Sequence, residues 1–531
     1  MTTVVVAPML VVLATATVAL ASRNFPRFQR ATSVAGVLAY AVAVGALVRR
    51  VVFVSGTQDA PSVVAYQVGG WEAPFGITLV ADGLSVFMLS LAAVVAVFSV
   101  VFSVFFIDPD NQRAYYHPLF QFLLLGVTGA FLTGDLFNLF VWFEVMLMVS
   151  YVFVAFYGDA SHTAAATRYV VLNIVGGVLM LLGIGGLYAT LGTLNMAEMA
   201  RVLSQGAVDT SAAVALSAFV FAAFALKAGL VPFQFWVPSA YRAAPLPITA
   251  MFAGVTKKVG VYAVLRLYFT VFGGTTLTDA GTSWFAGRSA LFVLAPVLIT
   301  MGVLSIVVGG IGAVRRDRLD ELLAYSSIGQ VGFIVVPVAF AAAAPTRALR
   351  RLGLIAALVY ALHHAFTKGM LFLSTAVVRD STGTTRLSQI GGMRERSSAF
   401  AGVFFLGSLS LIGVPPLTGF FGKLLVIETA VDEISRLPRV GVAVVFFLLV
   451  GAFLTVVYST RAFMGVFRGT AVKGSEPEAP KASQVAVLCT LAVLVVVVGV
   501  GFEPVYGFAD MAAGATTDTE AYVEAVLGGE V

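Results

Sequence analysis

The chain has almost no cysteine and little charge, and each shortage excludes a class of protein. Cys489 is the single cysteine in 531 residues and lies in an apolar run. One thiol excludes a disulfide framework, an iron–sulfur cluster and a thiolate zinc site within the chain, and we interpret it as an inert buried side chain. Only 11% of the residues are charged, whereas soluble proteins carry about 25%. The composition therefore does not fit an ordinary soluble domain.

Familiar catalytic motifs are also missing. The sequence contains no Walker A, GxGxxG, HExxH or CxxC pattern, so it predicts no nucleotide, dinucleotide or thiolate-metal chemistry. We expect no cofactor, and the sequence alone leaves the question of a metal site open. The formal net charge of +5 fits loop arginines and does not predict a nucleic-acid surface. Together these shortages argue against an enzyme in its own right.

Long apolar runs are abundant: 59% of the residues are hydrophobic and the mean hydropathy is +0.97. We therefore predict an all-α, multi-pass integral protein of the cell membrane. The first run lacks the basic n-region with which a signal peptide begins, so we expect it to be a retained helix. Runs of roughly 18 or more residues predict about fourteen spans, at 3–21, 33–54, 81–107, 117–134, 136–157, 168–191, 211–233, 248–272, 289–313, 322–343, 353–377, 402–430, 440–465 and 483–502.

The distribution of basic loop residues predicts the orientation. An outside N-terminus places most of them in the cytoplasm, including the run at 315–318 and the loops at 378–400 and 466–482. Arg49 and Arg50 go against this choice. We therefore expect the N-terminus and the acidic C-terminal segment to lie outside.

Two spans carry helix breakers close to a lone lysine. The seventh contains LKAGLVPFQFWVP and the twelfth contains GVPPLTGFFGKLL. Interrupted helices in matching places of two inverted halves indicate a transport site, and an odd number of helices per repeat inverts the second copy. We predict spans 1–3 within 1–110, one repeat of spans 4–8 within 111–275, a second repeat of spans 9–13 within 276–470, and the last span with an acidic tail within 471–531.

Five ionisable residues stand alone inside apolar runs: Glu144, Lys227, Lys258, Lys368 and Lys423. A charge at membrane depth costs roughly 2.5 to 3.5 kcal/mol on insertion scales. Such residues normally face a polar interior and mark a path for ions or protons. The five residues therefore predict a proton or ion path through the membrane.

Glu144 and Lys227 have the chemistry of an acid–base pair, because a carboxylate keeps a buried lysine charged and its movement lets the lysine release a proton. A static ion pair between two helices is the alternative. Lys257 and Lys258 project about 100° apart on a helix, so only one of them can face a polar axis. The other can snorkel to water or sit near the helix end, and the spacing does not choose between them.

His364 and Lys368 are separated by four residues and share one helix face. His364 suits a relay step because histidine titrates near neutral pH, and a buried histidine bonded to a neighbouring helix is the alternative. His363 lies about 100° away, and no second ligand on this face supports a metal. Lys423 follows the second break and fits an exit gate, with snorkelling to water as its alternative.

As a set, these motifs resemble the antiporter-like membrane subunits shared by Mrp-type multisubunit Na⁺/H⁺ antiporters and respiratory complex I. The resemblance covers about 60–470 and is strongest to D-type subunits of the Mrp branch at 68–89 and 192–198. A chain that stops soon after its last span agrees with that branch. The matching motifs are TGDLFNLFVWFEVMLMVSY (133–151), FALKAGLVPFQFWVPSAYRAAP (224–245), KKVGVYAVLR (257–266), LLAYSSIGQVGF (322–333), HHAFTKGMLFL (363–373) and GVPPLTGFFGKL (413–424).

The resemblance implies a role for each lone residue. The family's gating glutamate and lysine match Glu144 and Lys227. Its eighth-span lysine lies four residues before a tyrosine, which selects Lys258 over its neighbour. The histidine and lysine of the eleventh span and the terminal lysine of the twelfth match His364, Lys368 and Lys423. Some complex I relatives carry glutamate at the last position.

The implied function is proton conduction along this Glu/Lys/His axis, coupled to exchange of Na⁺ or another monovalent cation. The implied partners are the other subunits of a multisubunit antiporter and membrane lipids. A second hypothesis is a proton-pumping subunit of a redox complex, such as complex I or a membrane-bound hydrogenase. A third is a structural membrane scaffold whose charges only lock helices together.

Overall fold

The computed structural model describes residues 2–54, 62–108, 115–206, 208–277, 287–468 and 478–528, and these residues are almost entirely helical. The α-helices are α1 Ala7–Ala21, α2 Pro26–Val48, α3 Gly83–Phe106, α4 Tyr116–Leu132, α5 Leu136–Val154, α6 Ala160–Leu191, α7 Met196–Ser204, α8 Thr210–Ala228, α9 Trp236–Ala243, α10 Leu246–Met251, α11 Lys257–Val264, α12 Ala290–Val314, α13 Leu319–Ala343, α14 Arg347–Thr382, α15 Met393–Arg396, α16 Ser398–Ile412, α17 Thr418–Ile434, α18 Pro438–Phe467, α19 Ala482–Val500, α20 Phe502–Thr517 and α21 Thr519–Leu527.

Shorter helical turns complete these elements. Thr2–Val4 and Val68–Gly70 are 3₁₀ turns. Arg49–Phe53 extends α2 as a π-helical turn. Phe252–Thr256 and Leu265–Val271 are also π-helical, and they join α10 and α11 into one continuous stretch from Leu246 to Val271. Such π-helical turns occur frequently at functional sites.

Each predicted span coincides with a helix or a helix pair. In the described part of the chain, 11 helical stretches are long and apolar enough to cross a membrane. Three shorter apolar helices, α1, α4 and α16, take the first and fourth spans and the first half of the twelfth. Three predicted spans begin too late, because α2, α6 and α14 start well before 33–54, 168–191 and 353–377.

Both predicted helix breaks are confirmed. Helix α8 ends at Gly229, which has a φ of 70°, and the chain restarts as α9 at Trp236. Helix α16 ends at Gly413, which has a φ of 94°, and α17 begins at Thr418. Glycine adopts this left-handed conformation without the Cβ penalty of other residues. The breaks therefore leave backbone groups free inside two membrane spans.

The most buried helices form the centre of the bundle. The most apolar stretches of α14 and of the span from Leu246 to Val271 are completely buried, and α13 is nearly so. Helix α18, by contrast, leaves most of its surface uncovered, as expected of a helix that faces lipid or a partner. The central helices α11 and α14 carry the adjacent pairs Lys257–Lys258 and His363–His364.

One end of the bundle carries a small cap. Strand β1 Val64–Gln67 pairs antiparallel with β2 Thr78–Ala81, in a register that places Val64 opposite Ala81. This sheet is an addition to the predicted all-α fold. Helices α20 and α21 pack against α3, α14, α7 and β1. The predicted acidic tail is thus folded as far as Gly528, with the Asp510 carboxylate accepting two hydrogen bonds from Arg351.

Candidate proton path

Lys227 occupies an aromatic cage in the last turn of α8. Its side chain is fully buried, and its Nζ lies 3.3 Å from the Tyr169 hydroxyl, to which it donates. The rings of Phe143, Tyr169 and Trp236 have their centroids 5.9 to 6.0 Å from this nitrogen. Cation–π attraction and the negative end of the helix dipole both favour an ammonium group here.

Glu144 lies on α5 next to Phe143, one of the cage residues. Its side chain is only partly buried, and its Oε1 lies 3.0 Å from the position that a Cβ atom would take on Gly177. Among the described ion pairs none joins Glu144 to Lys227, although the ring of Phe143, the chain neighbour of Glu144, has its centroid 6.0 Å from the Lys227 nitrogen. The structure therefore brings the predicted pair into one region without direct contact, which does not match a static ion pair.

Lys258 and His364 meet at the centre of the molecule. The distance from Lys258 Nζ to His364 Nδ1 is 2.6 Å, which links α11 to α14. Lys258 Nζ also donates to the Ala253 carbonyl at 2.7 Å, within the π-helical turn. Both side chains are fully buried or nearly so. This hydrogen bond places two titratable groups within one proton-transfer distance.

Lys368 points from the same face of α14 toward α13. Its fully buried Nζ donates to the Leu323 carbonyl at 3.2 Å and to the Ser326 hydroxyl. The lysine therefore has neutral oxygen partners and, within the described residues, no acidic one. These hydrogen bonds hold the amine in place between α14 and α13.

Lys423 reaches back across the break in the twelfth span. Its Nζ donates to the Ile412 carbonyl at 2.7 Å, and Ile412 is the last residue of α16. The nitrogen also lies 5.7 Å from the centroid of the Phe333 ring. The side chain is 7% exposed, so the snorkelling alternative is wrong. The break instead supplies the free backbone oxygen that holds the ammonium group.

His363 faces the same break. Its Nδ1 lies 3.2 Å from the Thr418 hydroxyl, 3.3 Å from Thr367 and 3.4 Å from Ser410. Thr418 begins α17 and Ser410 lies in the last turn of α16. The histidine therefore contacts both halves of the broken span.

We expect Gly419→Ala to disrupt this region. A Cβ atom at position 419 would lie 1.8 Å from the Ser410 carbonyl oxygen and 2.7 Å from His363 Cε1. Because the first neighbour is backbone, relief requires a shift of the two half-helices, at a cost of about 1–3 kcal/mol or more. The variant should lower the thermal stability of the solubilised protein. The matched control is Gly402→Ala on α16, where no described heavy atom lies within 4 Å; equal stability of both variants would contradict the expectation.

A hydrogen-bond chain that the sequence analysis did not predict runs beside His363. Tyr360 donates to the Gln330 side-chain oxygen at 2.5 Å, and the Gln330 amide donates to the Tyr458 hydroxyl at 2.9 Å. The three residues come from α14, α13 and α18 and are fully buried. The Tyr360 ring packs edge-on against His363, with centroids 5.5 Å apart. This chain fixes the position of α14 beside the second break.

The sequence analysis also assigned no role to a buried ion pair near the cap. Arg266 makes two hydrogen bonds to Asp82, of 2.7 and 2.8 Å, and both side chains are at most 1% exposed. The arginine also contacts the Ser85 and Tyr262 hydroxyls at 3.2 and 3.3 Å. Arg266 is itself a charged residue in an apolar span, so the criterion that identified the five lone residues also applies to it.

A polar cavity of about 500 Å³ opens at the end of the bundle opposite the cap. Asp159, Arg168 and Asp320 are among its lining residues. Arg168 immediately precedes Tyr169, the hydrogen-bond partner of Lys227, on α6. Asp320 lies on α13, three residues before Leu323, a hydrogen-bond partner of Lys368. The cavity therefore brings polar side chains to α6 and α13, the helices that carry hydrogen-bond partners of Lys227 and Lys368.

Two further expectations concern Cys489 and metal binding. Cys489 is only partly buried on α19, so its interpretation as a buried thiol is wrong: it lies on a helix with an uncovered surface. Within the part of the chain that the structure describes, no three His, Cys, Asp or Glu side chains cluster as metal ligands. His364 instead uses Nδ1 for Lys258.

A helical membrane bundle with a buried row of titratable groups between two broken spans has the features of an ion-transport protein. The sequence profile described as NADH:quinone oxidoreductase/Mrp antiporter, TM, matches residues 133–455. The chain belongs to this family.

The relatives and solved structures agree with this assignment. The D-type Na⁺/H⁺ antiporter subunit of Alkalihalophilus pseudofirmus is 33% identical over 468 residues, which cover 88% of each chain. A chain in the structure of the Mrp complex from Dietzia sp. DQ12-45-1b matches with a TM-score of 0.84 and 26% identity over 99% of both chains. The membrane-bound sulfane sulfur reductase, an archaeal respiratory membrane complex, matches with the same TM-score and 27% identity, covering 99% of this chain and all of the other.

Proposed function

We propose that the chain is the proton-conducting membrane subunit of a multisubunit Na⁺/H⁺ antiporter. The observation that carries this proposal is the Lys258–His364 hydrogen bond of 2.6 Å between the two most buried spans. Lys227 lies in the first broken span and Lys423 in the second, each close to the break. The antiporter subunit and the Mrp complex among the similar proteins support the same activity.

The proposed path runs from Glu144 and Lys227 through Lys258, His364 and Lys368 to Lys423. Neighbouring ammonium groups repel one another, by about 4 kcal/mol for two charges 4 Å apart at an effective dielectric constant of 20. A proton that arrives at one lysine therefore favours release from the next. Movement of the Glu144 carboxylate toward Lys227 would retain the first proton, and movement away would release it.

We further propose that the axis is shared between two inverted repeats, 111–275 and 276–470, preceded by the helices of 1–110 and followed by 471–531. The two breaks support this division because each lies beside a buried lysine, Lys227 in one half and Lys423 in the other. We propose that the chain works together with other antiporter subunits in the lipid membrane. Those subunits would couple the proton current to movement of Na⁺ or another monovalent cation.

Glu144→Ala and Lys423→Ala test this proposal. Each variant should abolish exchange, because each removes one end of the path, while the complex still assembles. The measurement is cation-induced proton movement in everted membrane vesicles, normalised to assembled complex on a native gel. Lys481→Ala is the control, since this lysine is 55% exposed and pairs with Asp380 away from the axis. Wild-type exchange in an assembled Glu144→Ala or Lys423→Ala complex would overturn the proposal.

The likeness to a respiratory membrane complex favours a second candidate function, that of a proton-pumping subunit powered by electron transfer in partner chains. The native complex, purified in detergent, distinguishes the two functions. Small membrane partners without flavin or iron support the antiporter, whereas stoichiometric flavin or iron–sulfur clusters support the redox pump. A purely structural scaffold predicts instead that variants without these charges fail to assemble.

A further inference from the structure

The central contact between Lys258 and His364 lies between the two broken spans. Each of these residues has a titratable chain neighbour, Lys257 and His363, that projects in another direction. The sequence analysis left the direction of both neighbours open. In the structure, the two neighbours turn toward opposite breaks.

Lys257 faces the break in the seventh span. Its Nζ lies 3.1 Å from the position that a Cβ atom would take on Gly229, the residue at which α8 ends. The side chain is fully buried, and its Nζ has no hydrogen-bond partner among the described residues. The centroid of the Tyr241 ring lies 5.5 Å away. The burial of Lys257 does not match a lysine that snorkels to water.

A buried amine without a hydrogen-bond partner destabilises the fold, so its presence at Lys257 calls for a functional explanation. Leaving such a group without a hydrogen bond costs about 1–3 kcal/mol on protein mutational scales. Lys257 could gain a water partner at the break, where free backbone groups also need hydration. Since Lys227 lies two residues before Gly229, this break is also close to the Glu144–Lys227 end of the proposed path.

His363 makes the corresponding contact with the break in the twelfth span. Its Nδ1 is surrounded by the hydroxyls of Thr418, Thr367 and Ser410 at 3.2 to 3.4 Å. Its Nε2 is buried and has no partner in the part of the chain that the structure describes. The Nδ1 atom therefore has hydroxyl groups with which it can exchange a hydrogen bond. The Nε2 atom is left available to donate a proton to, or accept one from, another titratable group.

We propose that Lys257 and His363 are two further proton carriers, which join the central Lys258–His364 contact to the two broken spans. This inference rests on the proposed function. In the first step, an N–H bond of the Lys227 ammonium breaks and one forms on the neutral amine of Lys257, which then transfers the proton to Lys258. In the second half, in parallel with Lys368, His363 accepts a proton from His364 at one ring nitrogen and releases one from the other toward Lys423. Water completes each transfer where the side chains do not touch.

The test uses non-titrating replacements in the assembled complex. Lys257→Met and His363→Asn should each lower the exchange rate in everted vesicles by about tenfold to a hundredfold. This loss is at or below the lower end of the rate contribution of a general acid–base group, about 10²- to 10⁴-fold. Asparagine keeps the hydrogen-bonding capacity toward the hydroxyls but carries no proton. A proton-transfer defect should also raise the solvent isotope effect on exchange, which a packing defect would leave unchanged. Lys257→His, which titrates, should restore part of the activity.

His117→Asn is the matched control for the histidine. His117 is fully buried like His363, but neither of its ring nitrogens has a described hydrogen-bond partner, and it lies on α4, away from both breaks. Wild-type exchange is expected for it. If Lys257→Met fails to assemble, Lys257→Gln keeps the polarity and most of the length of the side chain and is measured in its place.

The outcomes separate this inference from the proposed function. Lys258→Leu is measured in parallel. Loss of exchange in Lys258→Leu with wild-type exchange and an unchanged isotope effect in Lys257→Met and His363→Asn would overturn only the two additional carriers. Wild-type exchange in all three variants would overturn the proposed function itself. Slow exchange with a raised isotope effect in the two new variants would establish them as carriers.

Discussion

Lys258→Leu should eliminate exchange, with a loss of at least about a hundredfold, because general acid–base groups of this kind contribute about 10²- to 10⁴-fold. Leucine removes the amine that lies 2.6 Å from His364 and interrupts the path at its centre. It leaves no buried charge without a partner, so the complex should still assemble. The measurement is the initial rate of cation-induced proton movement per assembled complex.

A double-variant cycle sharpens this expectation. His364→Leu should cause a similar loss, and the combination with Lys258→Leu should be no worse than either single change, because residues that act as one unit are strongly non-additive. Thr256→Val is a suitable control: Thr256 is buried two residues before Lys258, and among the described residues its hydroxyl bonds only to the Phe252 carbonyl. Multiplicative losses in the double variant would contradict a shared transfer step.

Asp82→Leu has the second largest expected effect, and it concerns stability. The change leaves the Arg266 guanidinium buried with only hydroxyl partners. Removing one partner of a buried ion pair costs about 3–5 kcal/mol. This is a large part of the roughly 5–15 kcal/mol by which folded proteins are typically stable. We expect little of the variant to reach the assembled complex, as measured by its amount in the membrane and by thermal unfolding in detergent.

The double variant Asp82→Leu with Arg266→Met separates charge from packing. Replacing a buried ion pair with apolar residues of similar volume is often neutral or stabilising, so assembly should recover. Exchange per assembled complex should then also recover, since the proposed path does not include this pair. Normal thermal stability of Asp82→Leu alone would show that the pair contributes little.

Much of the candidate site was predictable because the membrane makes charge costly. The five lone residues were identified by that criterion, and the structure places Lys227, Lys258, Lys368 and Lys423 in the interior. The breaks were predictable for a similar reason: glycine and proline in an apolar span interrupt its hydrogen bonds. Both broken spans occur where the sequence predicted them.

The contacts between helices were not predictable. Helical periodicity places Lys257 and His363 about 100° from their neighbours, but it does not say which helix lies in that direction. The same limit applies to Glu144, which approaches Gly177 rather than pairing directly with Lys227. Asp82 and Arg266 are 184 residues apart, and no local pattern connects residues at such a separation.

The sequence by itself determined the membrane class, the positions of the apolar helices, the two breaks and the residue types of the proposed path, because hydrophobic length and the cost of buried charge are local properties. Only the tertiary structure decided which groups meet. It joined Lys258 to His364, turned Lys257 and His363 toward opposite breaks, and folded α20 and α21 onto the cap. These outcomes depend on how closely packed helices are rotated and offset, which is a property of the whole bundle rather than of any one segment.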